Sequence, residues 1–169
     1  MPNWIEGTLK LRGKPKDIKR FMDNEFDRSN PIQGELEDYV KDESERGALH
    51  YIFNNLPYIK GTRRCFLKHQ YIDLWFDEGE DKDYIVVFNI QQAWNFDKAA
   101  GDEGEQCTAT EMWKEKANEY NLDIRLYGIE RGGEFCQEMI VLKDDDNVKF
   151  NTIKYDDWYW ECPFPEMGG

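Results

Sequence analysis

The sequence predicts an α+β domain in which two helices cover one face of an antiparallel sheet. Several short segments alternate apolar and polar residues with the period of a half-buried strand. Two other segments carry apolar residues at helical spacing. Their order along the chain is strand, helix, two strands, helix and two strands, which is typical of a sheet with helices packed against it.

The first strand and the first helix follow each other closely. Residues 8–12 alternate Leu9 and Leu11 with polar neighbours, which indicates a strand that Gly13 ends. Pro15 suits the first turn of a helix because it has no amide hydrogen to leave unpaired there. The apolar stripe of this helix consists of Ile18, Phe21, Met22 and Phe26.

The middle of the chain is less regular. A charged stretch follows the first helix, so residues of about 29–70 are interpreted as an insertion. Within it, residues 49–53 are β-like, and Pro57 argues against a central strand at that point. Residues 71–76 and 84–90 are rich in β-branched and aromatic residues, and we predict that they pair across an acidic loop.

A second helix and a hairpin follow. Thr108 and Glu111 match a capping box, in which both side chains bind free amides at the start of a helix, and this helix should end near Tyr120. Residues 123–129 alternate with Ile124 and Leu126 facing inward. We predict that they pair with residues 138–142 across a Gly-Gly turn.

The chain as a whole, residues 1–169, is predicted to form one domain. A last short strand is expected over residues 148–153, and the aromatic tail at 151–169 is expected to pack back on the domain. The resulting architecture is close to a ferredoxin-like sandwich with an insertion after helix one.

Charge and apolar content exclude several classes. Twenty-two Lys and Arg against 35 Asp and Glu give a net charge of -13, so direct DNA binding is not expected. The predicted strand over residues 123–129 lacks the Gly-aromatic signature of RNA-recognition sheets, and the net charge also opposes RNA binding. No apolar run suits a signal peptide or approaches the ~20 residues of a membrane span. We therefore predict a cytoplasmic protein whose scattered cysteines are free thiols.

Catalytic and metal-binding motifs are not found. The spacing of Cys65 and His69 would suit half of a zinc site, but the other pair of ligands is absent. No Ser or Cys lies in a motif that would activate it, and there is no Gly-rich phosphate loop. The sequence thus predicts a non-enzymatic protein without a cofactor or a metal.

Acidic residues cluster in two predicted loops. They could imitate the phosphates of nucleic acid and occupy a basic groove on a host enzyme, or they could simply be solvated. The loops lack the ligand order of an EF-hand calcium site. This candidate partner-binding acidic face consists of Asp77, Glu78, Glu80, Asp81, Asp83, Asp102, Glu103 and Glu105.

Basic residues cluster near the amino terminus. Such a patch would suit a phosphate or an acidic partner, and its alternative interpretation is ordinary surface charge. The candidate ligand-binding basic patch consists of Lys10, Arg12, Lys14, Lys16, Lys19 and Arg20. Large aromatic residues are interpreted as core or, alternatively, as the lining of a ligand pocket or as an interface hot spot. They are Trp94, Trp113, Trp158, Tyr159 and Trp160.

Short motifs in order along most of the chain resemble one known family. They are Met1 to Trp4, Phe88 to Trp94, Asp123 to Gly128, Gly132 to Ile140 and Trp160 to Pro165. This pattern resembles the YubB-type ferredoxin-like proteins of plasmids and phages, here a member typical of Gram-positive phages. The resemblance implies a ferredoxin-like fold and an origin in a mobile element.

Two functional hypotheses follow. The first is a phage protein that binds and inhibits a host defence or nucleic-acid enzyme, acting as an anti-CRISPR-like mimic of DNA. Its partner would be a host protein with a basic nucleic-acid-binding groove. The second is a small-molecule or nucleotide-binding accessory module that uses the sheet face and the basic patch. The oligomeric state stays open.

Overall fold

The computed structural model describes residues 3–27, 40–43, 48–53, 55–76, 82–97, 99, 109–130, 135–145 and 147–154, with the backbone alone at 40–43, 48–50 and 154. These residues form eleven strands and two helices. In chain order they are β1 (Trp4–Gly13), α1 (Pro15–Glu25), β2 (Phe26–Asp27), β3 (Val40–Glu43), β4 (Ala48–Ile52), β5 (Tyr58–Ile59), β6 (Phe66–Leu67), β7 (Tyr71–Trp75), β8 (Tyr84–Ala93), α2 (Ala109–Tyr120), β9 (Asp123–Glu130), β10 (Phe135–Val141) and β11 (Lys149–Lys154).

The strands form two antiparallel sheets. The large sheet has eight strands in the order β11-β10-β9-β1-β8-β6-β5-β2, and the small sheet has three in the order β3-β4-β7. Strand β1 lies in the middle of the large sheet and pairs with β8 on one side and β9 on the other. Helix α2 carries the chain from β8 across β1 to β9.

This architecture corrects the predicted fold class. The expected ferredoxin-like α+β class, a sheet with two main helices and an insertion, is wrong because the fold is much richer in strands. The chain is mostly strands, and only two helices occur in the part that the structure describes. The difference arises because the segment interpreted as an insertion, residues 29–70, supplies strands to both sheets. Its strands are two to five residues long, too short for a clear period in the sequence.

The predicted pairing of residues 71–76 with residues 84–90 is also wrong. Strand β7 pairs with β4 in the small sheet, whereas β8 pairs with β1 and β6 in the large sheet. Proximity in sequence favoured a hairpin, but the two segments belong to separate sheets. The predictions of β1, of the β9–β10 hairpin and of the last strand, β11, are confirmed.

The start and end of α1 and the end of α2 have identifiable causes. Pro15 occupies the first turn of α1, and the amide of Phe26 closes its last turn by donating to the Met22 carbonyl. Helix α2 ends where Asn121 adopts a left-handed conformation with φ 54°. The following amide, of Leu122, donates to the Ala117 carbonyl at 2.9 Å, as in a capped helix end.

The main core lies between the helices and one face of the large sheet. Phe21 packs edge to face on Tyr120 of α2, with ring centroids 5.3 Å apart, and Phe26 packs likewise on Phe88 of β8 at 5.4 Å. Each large apolar side chain buried in this way contributes about 1.5–3 kcal/mol. Leu9 and Leu11 are fully buried in the same cluster, so the intervening residues of β1 point to the opposite face.

Two glycines allow β1 and β9 to meet closely under an aromatic ring. Gly7 lies opposite Gly128 in the pairing of these strands. A Cβ at Gly7 would lie 1.9 Å from the backbone oxygen of Tyr127, and one at Gly128 would lie 2.8 Å from the ring of Phe96. The buried Phe96 therefore covers a part of the sheet that has no side chains of its own.

Candidate ligand-binding face

The candidate acidic face lies almost wholly outside the described residues. Of its eight carboxylates, only Asp83 is described, and it is exposed. Its Oδ1 lies 3.6 Å from Nζ of Lys14, so a cation next to it partly compensates its charge. Outside the described residues are Asp77, Glu78, Glu80, Asp81, Asp102, Glu103 and Glu105.

The structure divides the candidate basic patch between two sides of the large sheet. Lys16, Lys19 and Arg20 lie on α1, whose buried side contacts the face that carries Leu9 and Leu11. Lys10 and Arg12 alternate with those leucines and therefore point to the other face. The patch predicted from proximity in sequence is thus two separate groups of cations.

Most cations of that patch are next to a carboxylate. Lys14 contacts Asp83, Lys19 contacts Asp23 at 3.7 Å, and Arg20 contacts Asp17 at 3.9 Å. Among residues that the structure describes, Lys10 and Lys16 have no such ion pair. Lys16 is exposed on α1, whereas Lys10 is half-buried on β1.

Residues on the face of the large sheet opposite to the main core form what we call the open face. Register places Lys10 directly between Val87 of β8 and Arg125 of β9. Arg12 lies in the same way between Ile85 and Asp123. The open face consists of Thr8, Lys10, Arg12, Ile85, Val87, Asp123, Arg125, Tyr127, Glu138 and Ile140.

Carboxylates hold two of the three cations on the open face. Arg12 Nε donates to Asp123 Oδ2 at 2.8 Å, and Arg125 Nε donates to Glu138 Oε1 at 2.7 Å. The Arg125 guanidinium also lies 5.5 Å from the centre of the Tyr127 ring. Lys10 has no carboxylate partner among the described residues, and it lies directly opposite Arg125, whose charge Glu138 compensates.

The cations are flanked by exposed aliphatic side chains. Ile85 is 62% exposed and Val87 is 51% exposed, although both belong to a central strand. A shallow cleft of ≈ 300 Å³ opens beside them. Its lining includes Lys10, Arg12, Ile85, Asp123, Arg125 and Ile140. Apolar walls with a few converging polar groups are typical of sites for small molecules.

The aromatic and thiol groups beside the cleft are protonated. Burial raises the pKa of the Tyr127 phenol, and the nearby Cys136 thiol and the Glu138 carboxylate raise it further, against a lowering by Arg125. Burial likewise raises the pKa of Cys136. Cys136 is therefore not an activated nucleophile.

Sequence analysis identified Lys10 and Arg12 but missed the residues opposite them. The alternation in residues 123–129 already indicated that Arg125 and Tyr127 point away from the core. It gave no signal that β9 would pair with β1, and only this pairing brings Arg125 next to Lys10. The exposure of Ile85 and Val87 had no signal in the sequence either.

The large aromatic residues have different roles where they are described. Trp113 is fully buried in the core, as predicted. Trp94 is 45% exposed, with the Arg63 guanidinium 5.9 Å from the centre of its ring. Trp158, Tyr159 and Trp160 lie outside the described residues.

Comparisons of the chain with protein-family models, with curated proteins and with solved structures find no match. Within the described ranges, no helix has the length and apolar character that crossing a membrane requires. Nor does that part of the chain bring together three or more His, Cys, Asp or Glu side chains in a group suited to a metal ion.

Proposed function

We propose that the protein is a non-enzymatic binding module, which holds a small anion with an apolar part on the open face of its large sheet. The observation that carries this proposal is the position of Lys10. It is half-buried, it has no ion-pair partner in the described chain, and it lies opposite Arg125 and beside the exposed Val87.

The charge of the open face favours an anionic ligand. Lys10, Arg12 and Arg125 supply three positive charges, and Asp123 and Glu138 supply two negative ones. One positive charge is thus left at the centre of the open face, in a chain of net charge -13. A phosphate or carboxylate bound there would pair with Lys10, the cation of this group that has no carboxylate beside it in the described chain.

The apolar surroundings favour a ligand that is more than a simple anion. Ile85 and Val87 lie on the strand next to Lys10, so an apolar group attached to the anion would cover them. Nucleotides and fatty acids both combine these two parts. Inorganic phosphate has the anion but no apolar group, so it should bind more weakly.

The proposal includes a cytoplasmic location and the absence of catalysis. The described thiols support the latter, because Cys65 and Cys136 are buried and burial raises the pKa of both. The resemblance to the YubB-type family stays a prediction. So does the inhibition of a host enzyme by the acidic loops, since seven of their eight residues lie outside the described chain.

Calorimetric titration with adenosine monophosphate, decanoate and inorganic phosphate tests the proposed function. The loss of one charge-assisted hydrogen bond costs about 1.5–3 kcal/mol, so Lys10→Glu should weaken binding of the nucleotide or the fatty acid about 10- to 100-fold. Lys16→Glu is the matched control, because Lys16 also has no ion pair in the described chain but lies on α1. Equal effects of the two substitutions, or no binding of any probe, would overturn the proposal.

A further inference from the structure

Hydrogen bonds and a buried ring attach the turn that follows β8 to the side of the large sheet that faces the core. The Trp94 amide donates to the Asn3 carbonyl at 2.8 Å, and the Phe96 amide donates to Oε1 of Gln137 at 2.8 Å. Trp94 itself adopts a left-handed conformation with φ 71°. The buried ring of Phe96 anchors the turn over Gly128.

Three side-chain oxygens in this turn are buried without a hydrogen-bond partner. They are Gln92 Oε1, Asn95 Oδ1 and Asp97 Oδ1, and no other described side-chain atom is in this situation. Gln92 is 1% exposed, and its Nε2 donates to the Asn95 carbonyl at 2.5 Å. Gln92 Oε1 therefore lies within roughly 5 Å of that carbonyl. Buried acceptors without a donor are unfavourable, so these three oxygens within six residues indicate partners other than the described side chains.

The character of the three atoms indicates what that partner is. All three are acceptors, and one belongs to a carboxylate that has no Lys or Arg within ion-pair distance in the described chain. A single water molecule donates two hydrogen bonds and leaves one of three acceptors unpaired. A hard cation accepts oxygens from amides and carboxylates alike and also compensates the charge of Asp97.

We propose that this turn binds a divalent hard cation, with Ca²⁺ preferred over Mg²⁺, through the side-chain oxygens of Gln92, Asn95 and Asp97. Ca²⁺ accepts irregular sets of neutral and charged oxygens, whereas Mg²⁺ demands octahedral geometry and retains its water. With one carboxylate, the site is weak, with a dissociation constant of about 1 mM. It is independent of the ligand proposed for the open face, because Gln92 points to the opposite side of the sheet from Lys10.

Thermal unfolding of the full chain with Ca²⁺ or Mg²⁺ tests this site. At about 10 mM Ca²⁺, the expected rise in Tm is about 3 to 6 °C, with a smaller rise in Mg²⁺. Asp97→Asn should abolish the rise. Asp144→Asn, which removes the charge of an exposed carboxylate elsewhere, should retain it. A rise that persists in Asp97→Asn, or none in the wild-type chain, would overturn the proposal.

Two further measurements complete the test, namely the Ca²⁺ affinity of Asn95→Asp and the luminescence of bound Tb³⁺. Asn95→Asp adds a second carboxylate and should tighten Ca²⁺ binding about tenfold. If water alone satisfies these oxygens, Asn95→Asp instead lowers Tm equally with and without Ca²⁺, which contradicts the proposal. Tb³⁺, a luminescent substitute for Ca²⁺, should be sensitised by the adjacent Trp94 and displaced by Ca²⁺. A Tb³⁺ signal unchanged in Trp94→Phe would place the cation elsewhere.

Discussion

Replacing Lys116 with Met tests how the two helices are joined. Lys116 of α2 contacts the Glu25 carboxylate at the end of α1, and the Tyr120 hydroxyl donates to Oε1 of the same carboxylate at 2.6 Å. The side chains of Glu25 and Lys116 are 10% and 12% exposed. Lys116→Met therefore leaves a buried carboxylate with a single neutral donor and no cation.

The expected cost of Lys116→Met is about 3–5 kcal/mol of unfolding free energy, the usual penalty for removing one partner of a buried ion pair. For a domain of this size, the loss corresponds to a decrease in Tm of about 10 °C or more. Urea unfolding followed by circular dichroism measures the cost, with an unchanged slope as evidence that the native state is intact. The double variant Glu25→Gln, Lys116→Met should recover at least half of the loss, because it no longer buries an unpaired charge.

Lys19→Met is the matched control for Lys116→Met. Lys19 belongs to a more exposed pair with Asp23, whose atoms are 3.7 Å apart, and such pairs contribute about 0–1 kcal/mol. If Lys116→Met costs no more than Lys19→Met, the buried pair does not join the helices, and the reasoning is refuted.

Three further predictions concern the core. Gly7→Ala should cost about 3 kcal/mol in a urea titration, because its Cβ would lie 1.9 Å from the Tyr127 carbonyl oxygen; a cost below about 1 kcal/mol would contradict that contact. Burial and the hydrogen bond to Glu25 raise the pKa of Tyr120, so its contribution to stability is complete below the ordinary value of 10.0 and is lost as the pH rises above it. The free energy of unfolding of the wild type should therefore fall more steeply above that pH than that of Tyr120→Phe. Parallel plots of free energy against pH would contradict a raised pKa of Tyr120. Cys65 is fully buried and its pKa is raised by burial, so mass spectrometry should find it alkylated only in denaturant.

Local patterns predicted the elements that depend on neighbouring residues. Leu9 and Leu11 marked β1 by alternation, and apolar residues at helical spacing marked α2, which ends at Tyr120. The β9–β10 hairpin was predicted for the same reason, since a short turn joins strands of matching period. Each of these features is decided within about a dozen residues of the chain.

Pairing between distant segments could not be predicted in this way. Strand β7 lies close to β8 in the sequence, yet it pairs with β4. Which strands pair, and in which register, depends on the faces that are buried together in the fold. The candidate site on the open face also depends on pairing between distant segments. Lys10 and Arg125 become neighbours only through the β1–β9 pairing, and neither residue carries a motif that indicates the other.

Nuclear magnetic resonance of the isotope-labelled chain tests the central claim most directly. Adenosine monophosphate and decanoate are titrated separately, and the backbone amide shifts are followed. Saturable changes centred on Lys10, Val87 and Arg125 are expected, and they should be lost in Lys10→Glu. Changes centred on α1, or changes that Lys10→Glu leaves intact, would contradict that claim.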